Sequence, residues 1–97
     1  MRFAFKDSDL EEIYDTGFSP KYHPNLIHSF FRTVARIAAA IDERDLYACK
    51  SLHIEKLKGG RKGQYSMRLN DQWRLIAIPE IDENGKYIMI IEISDYH

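Results

Sequence analysis

The sequence predicts an α+β domain, a small antiparallel β-sheet with two N-terminal helices packed on one face. Three observations predict it. Apolar residues recur with helical period from Leu26 to Ile41. Short runs around Tyr65–Leu69 and Trp73–Ile78 read as strands. The elements follow the order strand, helix, helix, then three or four meandering strands. The 97 residues are enough for one domain, 1–97, and a hydrophobic content of 44% excludes a disordered chain.

Taken in order, Met1–Lys6 alternates, with Phe3 and Phe5 on one side and Arg2 and Lys6 on the other, as in a half-buried strand. Ser8 and Glu11 have the spacing of a capping box, Leu10, Ile13 and Tyr14 share one face of a short helix, and Gly17 is placed to stop it. Pro24 suits a first helical turn, after which Leu26, Ile27, Phe30, Phe31, Val34, Ile37, Ala38 and Ile41 define the longer helix. His28, Arg32 and Arg36 fall on its opposite side, where a solvated face is the ordinary reading. Asp42–Asp45 continues that helix or ends it as a polar connector. Leu52–Ile54 is a short strand or an extended lead-in. Gly59, Gly60 and Gly63 interrupt regular structure between Lys58 and Gln64. A strand then places Tyr65, Met67 and Leu69 on one face and Gln64, Ser66 and Arg68 on the other. Asn70–Asp71 turns the chain into a returning strand that Pro79 is expected to stop, and a second hairpin at Asp82–Gly85 leads to the apolar run Tyr87–Ile93, a central strand.

Charge is distributed unevenly. Residues 50–74 hold Lys50, Lys56, Lys58, Arg61, Lys62, Arg68 and Arg74 against Glu55 and Asp71, a local charge of +5 in a chain of net charge −1, which leaves −6 elsewhere. Cations crowded in this way repel one another unless a partner neutralises them, so the segment points to a polyanion. The lone Cys49 allows no intrachain disulfide and no cysteine-based zinc site, which favours a reducing compartment, the cytoplasm. No window approaches eighteen apolar residues and Met1–Asp9 lacks the apolar core of a signal peptide, so no membrane association is expected. His23 and His28 lack metal-ligand spacing, and the glycine-rich loop lacks the lysine-serine/threonine signature of a phosphate loop. No metal or nucleotide cofactor is expected.

These residue types suit phosphodiester chemistry on RNA. Cleavage without a metal needs a group to take the 2′-hydroxyl proton, cations to stabilise the transition state, and a donor for the leaving 5′-oxygen. Arg68 and Arg74, on strands, can hold phosphate oxygens with planar donor forks if the turn register sets them on one face. Lys58 and Arg61 add positive potential from the loop. His97, with an ordinary pKa of about 6.5, is the candidate for proton transfer, Asp95 can orient it or the RNA, and Tyr65 or Tyr96 can stack on an unpaired base. Singly, each has an ordinary role: a surface-strand arginine, a core aromatic, a frayed terminal histidine. Trp73 is assigned to the core.

The run Lys58-Gly59-Gly60-Arg61-Lys62-Gly63-Gln64-Tyr65-Ser66-Met67-Arg68-Leu69-Asn70-Asp71-Gln72-Trp73-Arg74, with the ending Asp95-Tyr96-His97, resembles the HigB toxins of bacterial toxin–antitoxin systems, within the RelE-like group. The resemblance implies the RelE-like fold and ribosome-dependent cleavage of mRNA. It also implies a HigA-type helix-turn-helix antitoxin as partner, which binds operator DNA and links this chain to it indirectly. The catalytic residues it implies are His53, Lys58, Arg68, Arg74, Asp95 and His97, with RNA contacts from Lys56, Arg61, Lys62, Tyr65 and Tyr96. In one place the sequence departs from the pattern. Family members commonly read Leu-His-x-Leu-Lys-Gly, whereas here two further residues separate His53 from Lys58-Gly59, so either Lys56 or Lys58 matches the family lysine. Two alternatives are a non-catalytic RNA- or ribosome-binding module and an antitoxin-binding corepressor of its own operon.

Overall fold

A computed structural model describes residues 1–95. The described elements are β1 (Arg2–Phe5), α1 (Ser8–Thr16), α2 (Pro24–Ala39), α3 (Glu43–Ala48), β2 (Glu55–Lys56), β3 (Tyr65–Arg68), β4 (Trp73–Asp82) and β5 (Gly85–Asp95), with single 3₁₀ turns at Lys50–Leu52 and Gly59–Arg61. The strands form one sheet in the order β1-β5-β4-β3-β2. The α+β class and the helix-on-one-face arrangement agree with the sequence reading. The sheet, however, is mixed: β1 runs parallel to β5, while the other pairs are antiparallel. Three helices, one more than the sequence reading gave, lie between β1 and the meander and carry the chain back across the sheet, which makes a parallel pairing possible.

The core lies between the helices and one sheet face. Phe30, Val34 and Ile37 of α2 are fully buried, and they share a cluster with Leu10 and Ile13 of α1, Leu46 of α3, and Met67, Leu75, Ile90 and Ile93 of the strands. Burial of such side chains stabilises by about 1.5–3 kcal/mol each. Phe3 and Phe5 join this face packed edge to face, with ring centroids 5.7 Å apart, and Phe5 reaches Phe30 at 6.1 Å. No helix among the described residues is long and apolar enough to cross a membrane.

Local differences from the sequence reading have simple causes. Asp7, rather than Ser8, caps α1, since its carboxylate accepts the Leu10 amide at 3.0 Å. Gly17 does end that helix, with φ 74. Helix α2 stops at Ala39, which leaves Ile41 outside it and 87% exposed. Asp42 caps the separate helix α3 by accepting from the Arg44 amide, so the acidic run starts an element where a continuation or a connector was expected. Strand β4 runs through Pro79 to Asp82. Its pairing with β3 ends at Ala77, so Pro79 sits where β4 has lost one neighbour and a missing N–H is tolerated. Leu52 closes a 3₁₀ turn, fully buried, and the strand that follows begins only at Glu55.

Candidate functional site

The register of β3 on β4 pairs Arg68 directly with Arg74, and Arg74 pairs in turn with Ser94 of β5. The next row on the same face is Ser66, Ile76 and Glu92. Because alternate residues of a strand point to opposite faces, both rows lie on the side away from Met67 and Leu75, which face the helices. The two strand arginines therefore share the face that the helices leave open.

Their environments differ. Arg74 is buried, only 7% exposed, with its guanidinium laid across β3. Its Nε donates to Ser66 Oγ at 2.9 Å and its Nη2 to the Ser66 carbonyl at 3.2 Å and to the His53 carbonyl. Arg68 keeps 40% of its side chain exposed and pairs with the solvent-exposed carboxylate of Asp71. Arg74 is thus fixed in place, and Arg68 is the arginine a ligand reaches.

His53 follows the 3₁₀ turn in the left-handed conformation, with φ 44 and ψ 53, the one non-glycine residue with positive φ among those described. Buried Leu52 anchors it on one side and Arg74 holds its carbonyl on the other, while its side chain is exposed. The two additional residues after His53 have a structural role. Glu55 and Lys56 pair with Ser66 and Tyr65, and the Leu57 amide donates to the Gln64 carbonyl at 2.9 Å, so residues 55–57 form the outer strand of a hairpin. The basic loop is the connection of that hairpin. It folds over the open face: a Cβ on Gly63 would stand 3.8 Å from Ile78 Cδ1, and Arg61 Nη2 lies 2.6 Å from Glu92 Oε1. That contact is an ion pair by distance, without the alignment of a hydrogen bond.

The fold thus sets Arg68 and Arg74 at one end of the open face, with the His53 backbone held against Arg74 and Arg61 over the adjoining row at Glu92. Lys58 and Lys62 are exposed on the hairpin connection. Lys56 and Tyr65 turn to the helix side, where Lys56 Nζ sits 6.0 Å from the Tyr65 ring and Tyr65 meets Tyr47 edge-on at 6.0 Å. Burial, then a hydrogen bond with Tyr65, pushes the Tyr47 phenol up to about 12. Asp95 is the register partner of Trp73 and accepts from Gln72 Nε2 at 3.1 Å. Trp73 packs against the core, as assigned, with Tyr22 edge-on at 5.6 Å. Tyr96 and His97 lie outside the described residues. Ser66 was not singled out from the sequence; its signal was a small hydroxyl on the face of the strand that also carries Arg68. No group of His, Cys, Asp and Glu able to hold a metal ion occurs among the described residues.

Residues 3–89 match the HigB-like toxin family, the RelE-like toxins of type II toxin–antitoxin systems. The chain belongs to this family. Toxin HigB-1 of Vibrio cholerae is 36% identical over 77 residues, covering 78% of this chain and 81% of that protein. In fold, this HigB-like toxin is similar to the YoeB/ParE toxin from Agrobacterium tumefaciens, with a TM-score of 0.61 at 16% identity over the whole of both chains. It is also similar to a chain of the heterotetrameric YoeB–YefM toxin–antitoxin complex from Staphylococcus aureus, with a TM-score of 0.59 at 21% identity, covering 100% of this chain and 97% of that one. It is a toxin of the RelE/HigB group, and family membership supports an endoribonuclease.

Proposed function

We propose that this HigB-like toxin cleaves mRNA on the translating ribosome, by attack of a 2′-hydroxyl on the adjacent phosphorus and without a metal. The observation that carries this reading is the cross-strand pairing of Arg68 with Arg74 on the open face. In the reaction the 2′-oxygen bonds to phosphorus, its proton passes to a base, and the bond to the 5′-oxygen breaks as that oxygen takes a proton. Arg68, exposed beside the turn, donates to a nonbridging oxygen. Arg74, buried in its hydrogen bonds, adds fixed positive potential and holds the His53 segment in place. Preorganised charge of this kind lowers the barrier because nothing has to reorient as the transition state forms. His53 and His97 are the groups suited to move protons, Asp95 to orient one of them, and Lys58, Arg61 and Lys62 to draw in RNA. Tyr96 completes the proposed RNA contacts, and Lys56 and Tyr65, turned to the helix side, would touch only RNA that passes round the β2 edge.

Membership of a toxin–antitoxin family supports an antitoxin partner, and we assign it the HigA helix-turn-helix type, through which this chain would be held at operator DNA. A single cysteine and a cytoplasmic target agree with a cytoplasmic protein. The test is induced expression with primer-extension mapping of transcripts, wild type beside Arg68→Ala. Cuts in frame with translation that disappear in the variant support the reading. Intact message in the presence of purified toxin and active ribosomes would overturn it and leave an RNA- or antitoxin-binding module.

A further inference from the structure

A second concentration of arginines lies round the sheet edge from the candidate site. Strand β2 pairs with β3 only at Tyr65 and Ser66, which leaves the Arg68 end of β3 at an edge. There Arg68 lines a polar groove of about 430 Å³ between the β3–β4 turn and α2, together with Arg32, Arg36, Thr33 and Ser51. Arg32 and Arg36 stand one helical turn apart, on a helix that contains no carboxylate at all. Like charges at that spacing destabilise a helix, and here both line the groove with a third arginine, Asp71 being the one acid among the described residues of its wall. The chain outside residues 50–74 is otherwise strongly acidic, so general basicity does not account for the arrangement. Two of the three guanidiniums are already oriented: Arg36 donates to Ser51 Oγ, and Arg68 is held by Asp71.

We infer that this groove binds the backbone phosphates of the RNA strand that occupies the Arg68–Arg74 site, with Arg68 the shared residue where the strand turns round the sheet edge onto α2. The inference rests on the reading of the protein as acting on RNA. Planar guanidinium forks suit phosphate oxygens, and the exposed Ser51 hydroxyl suits a further backbone oxygen. Among the described residues the groove wall holds no aromatic side chain, so these contacts favour backbone over base.

The experiment titrates the intact toxin with non-cleavable 2′-O-methyl oligonucleotides, one of about four nucleotides and one of about twelve, lengths that bracket ordinary single-strand sites. Arg32→Ala is the main variant, because Arg32 is exposed. Arg36→Gln is the second, and Arg44→Ala, which removes one charge from α3 outside the groove, is the control. We expect Arg32→Ala and Arg36→Gln each to weaken binding of the longer strand about fivefold and to lower its salt slope by about 0.7, with the shorter strand and the control unaffected. Unchanged affinity and slope for the longer strand would overturn the inference, as would a loss confined to ribosomes or to an acidic protein partner. If wild type binds the longer strand in this way but cuts no message, the groove stands and the proposed activity fails. If it cuts message while both variants bind normally, the groove fails and the activity stands.

Discussion

The buried guanidinium of Arg74 donates to the backbone carbonyl of His53, twenty-one positions earlier in the chain. This bond ties the segment that departs from the family spacing to the strands that carry the arginines. It also makes Arg74 both a structural and an electrostatic residue, which separates its behaviour from that of Arg68.

Arg68→Ala and Arg74→Ala are therefore expected to diverge. Loss of Arg68 breaks an exposed ion pair worth under about 1 kcal/mol, and its effect falls on cleavage, by about 10²–10³-fold. Loss of Arg74 removes a donor from the Ser66 hydroxyl, the Ser66 carbonyl and the His53 carbonyl, at a cost of about 1–3 kcal/mol in stability besides any loss of activity. Thermal melts beside cleavage rates separate the two. Equal Tm losses for both variants would contradict this division of labour.

His53 adopts φ 44, where a side chain costs about 1 kcal/mol that glycine does not incur. His53→Gly should stabilise the fold by about 0.5 kcal/mol, whereas His53→Ala keeps the strain. If the imidazole moves protons, both variants lose cleavage while only the glycine variant gains Tm. Full activity in both would remove His53 from the chemistry.

The ion pair between Arg61 and Glu92 holds the basic loop down on the open face, with both side chains partly exposed at 48% and 39%. Glu92→Gln should cost under about 1 kcal/mol of stability and free Arg61 for phosphate. Oligonucleotide affinity is expected to rise about two- to fivefold, more than for Glu83→Gln in the distant β4–β5 turn, which changes net charge equally. Equal gains in the two variants would reduce the effect to net charge.

The raised pKa of Tyr47 makes an alkaline prediction. Burial and the Tyr65 hydrogen bond move its phenol from 10.0 to about 12 in the folded protein. Below the lower value both folded and unfolded chains keep the proton, and the group adds no pH dependence. As pH rises through this window the unfolded chain ionises first, so stability falls. Tyr47→Phe should lose stability less steeply over that range, as measured by urea midpoints. Identical slopes would count against the Tyr47–Tyr65 hydrogen bond.

Much of the fold was legible in the sequence because it rests on local rules. The period of Leu26 to Ile37 defined α2, Pro24 and Gly17 marked helix ends, and alternation set Met67 and Leu69 against Ser66 and Arg68. Boundaries were missed where a neighbour decided them. Pro79 was read as the end of β4, but there the strand pairs with β5 alone and tolerates a missing N–H, and Ile41 lost its helix when Asp42 capped a new one. The arginines of α2 read as a solvated face, since nothing local indicates that a strand arginine will stand opposite them.

By itself the sequence determined the α+β class, the concentration of positive charge in residues 50–74 and the residue types the proposed chemistry uses, because each depends on composition or on short-range periodicity. Only the tertiary structure decided that Arg68 and Arg74 are register partners, that Arg74 is buried against His53 while Arg68 stays open, and that Lys56 and Tyr65 face the helices. A shift of one residue in strand register would send each side chain to the other face, and the pairing that sets the register forms between strands, beyond the reach of any local pattern.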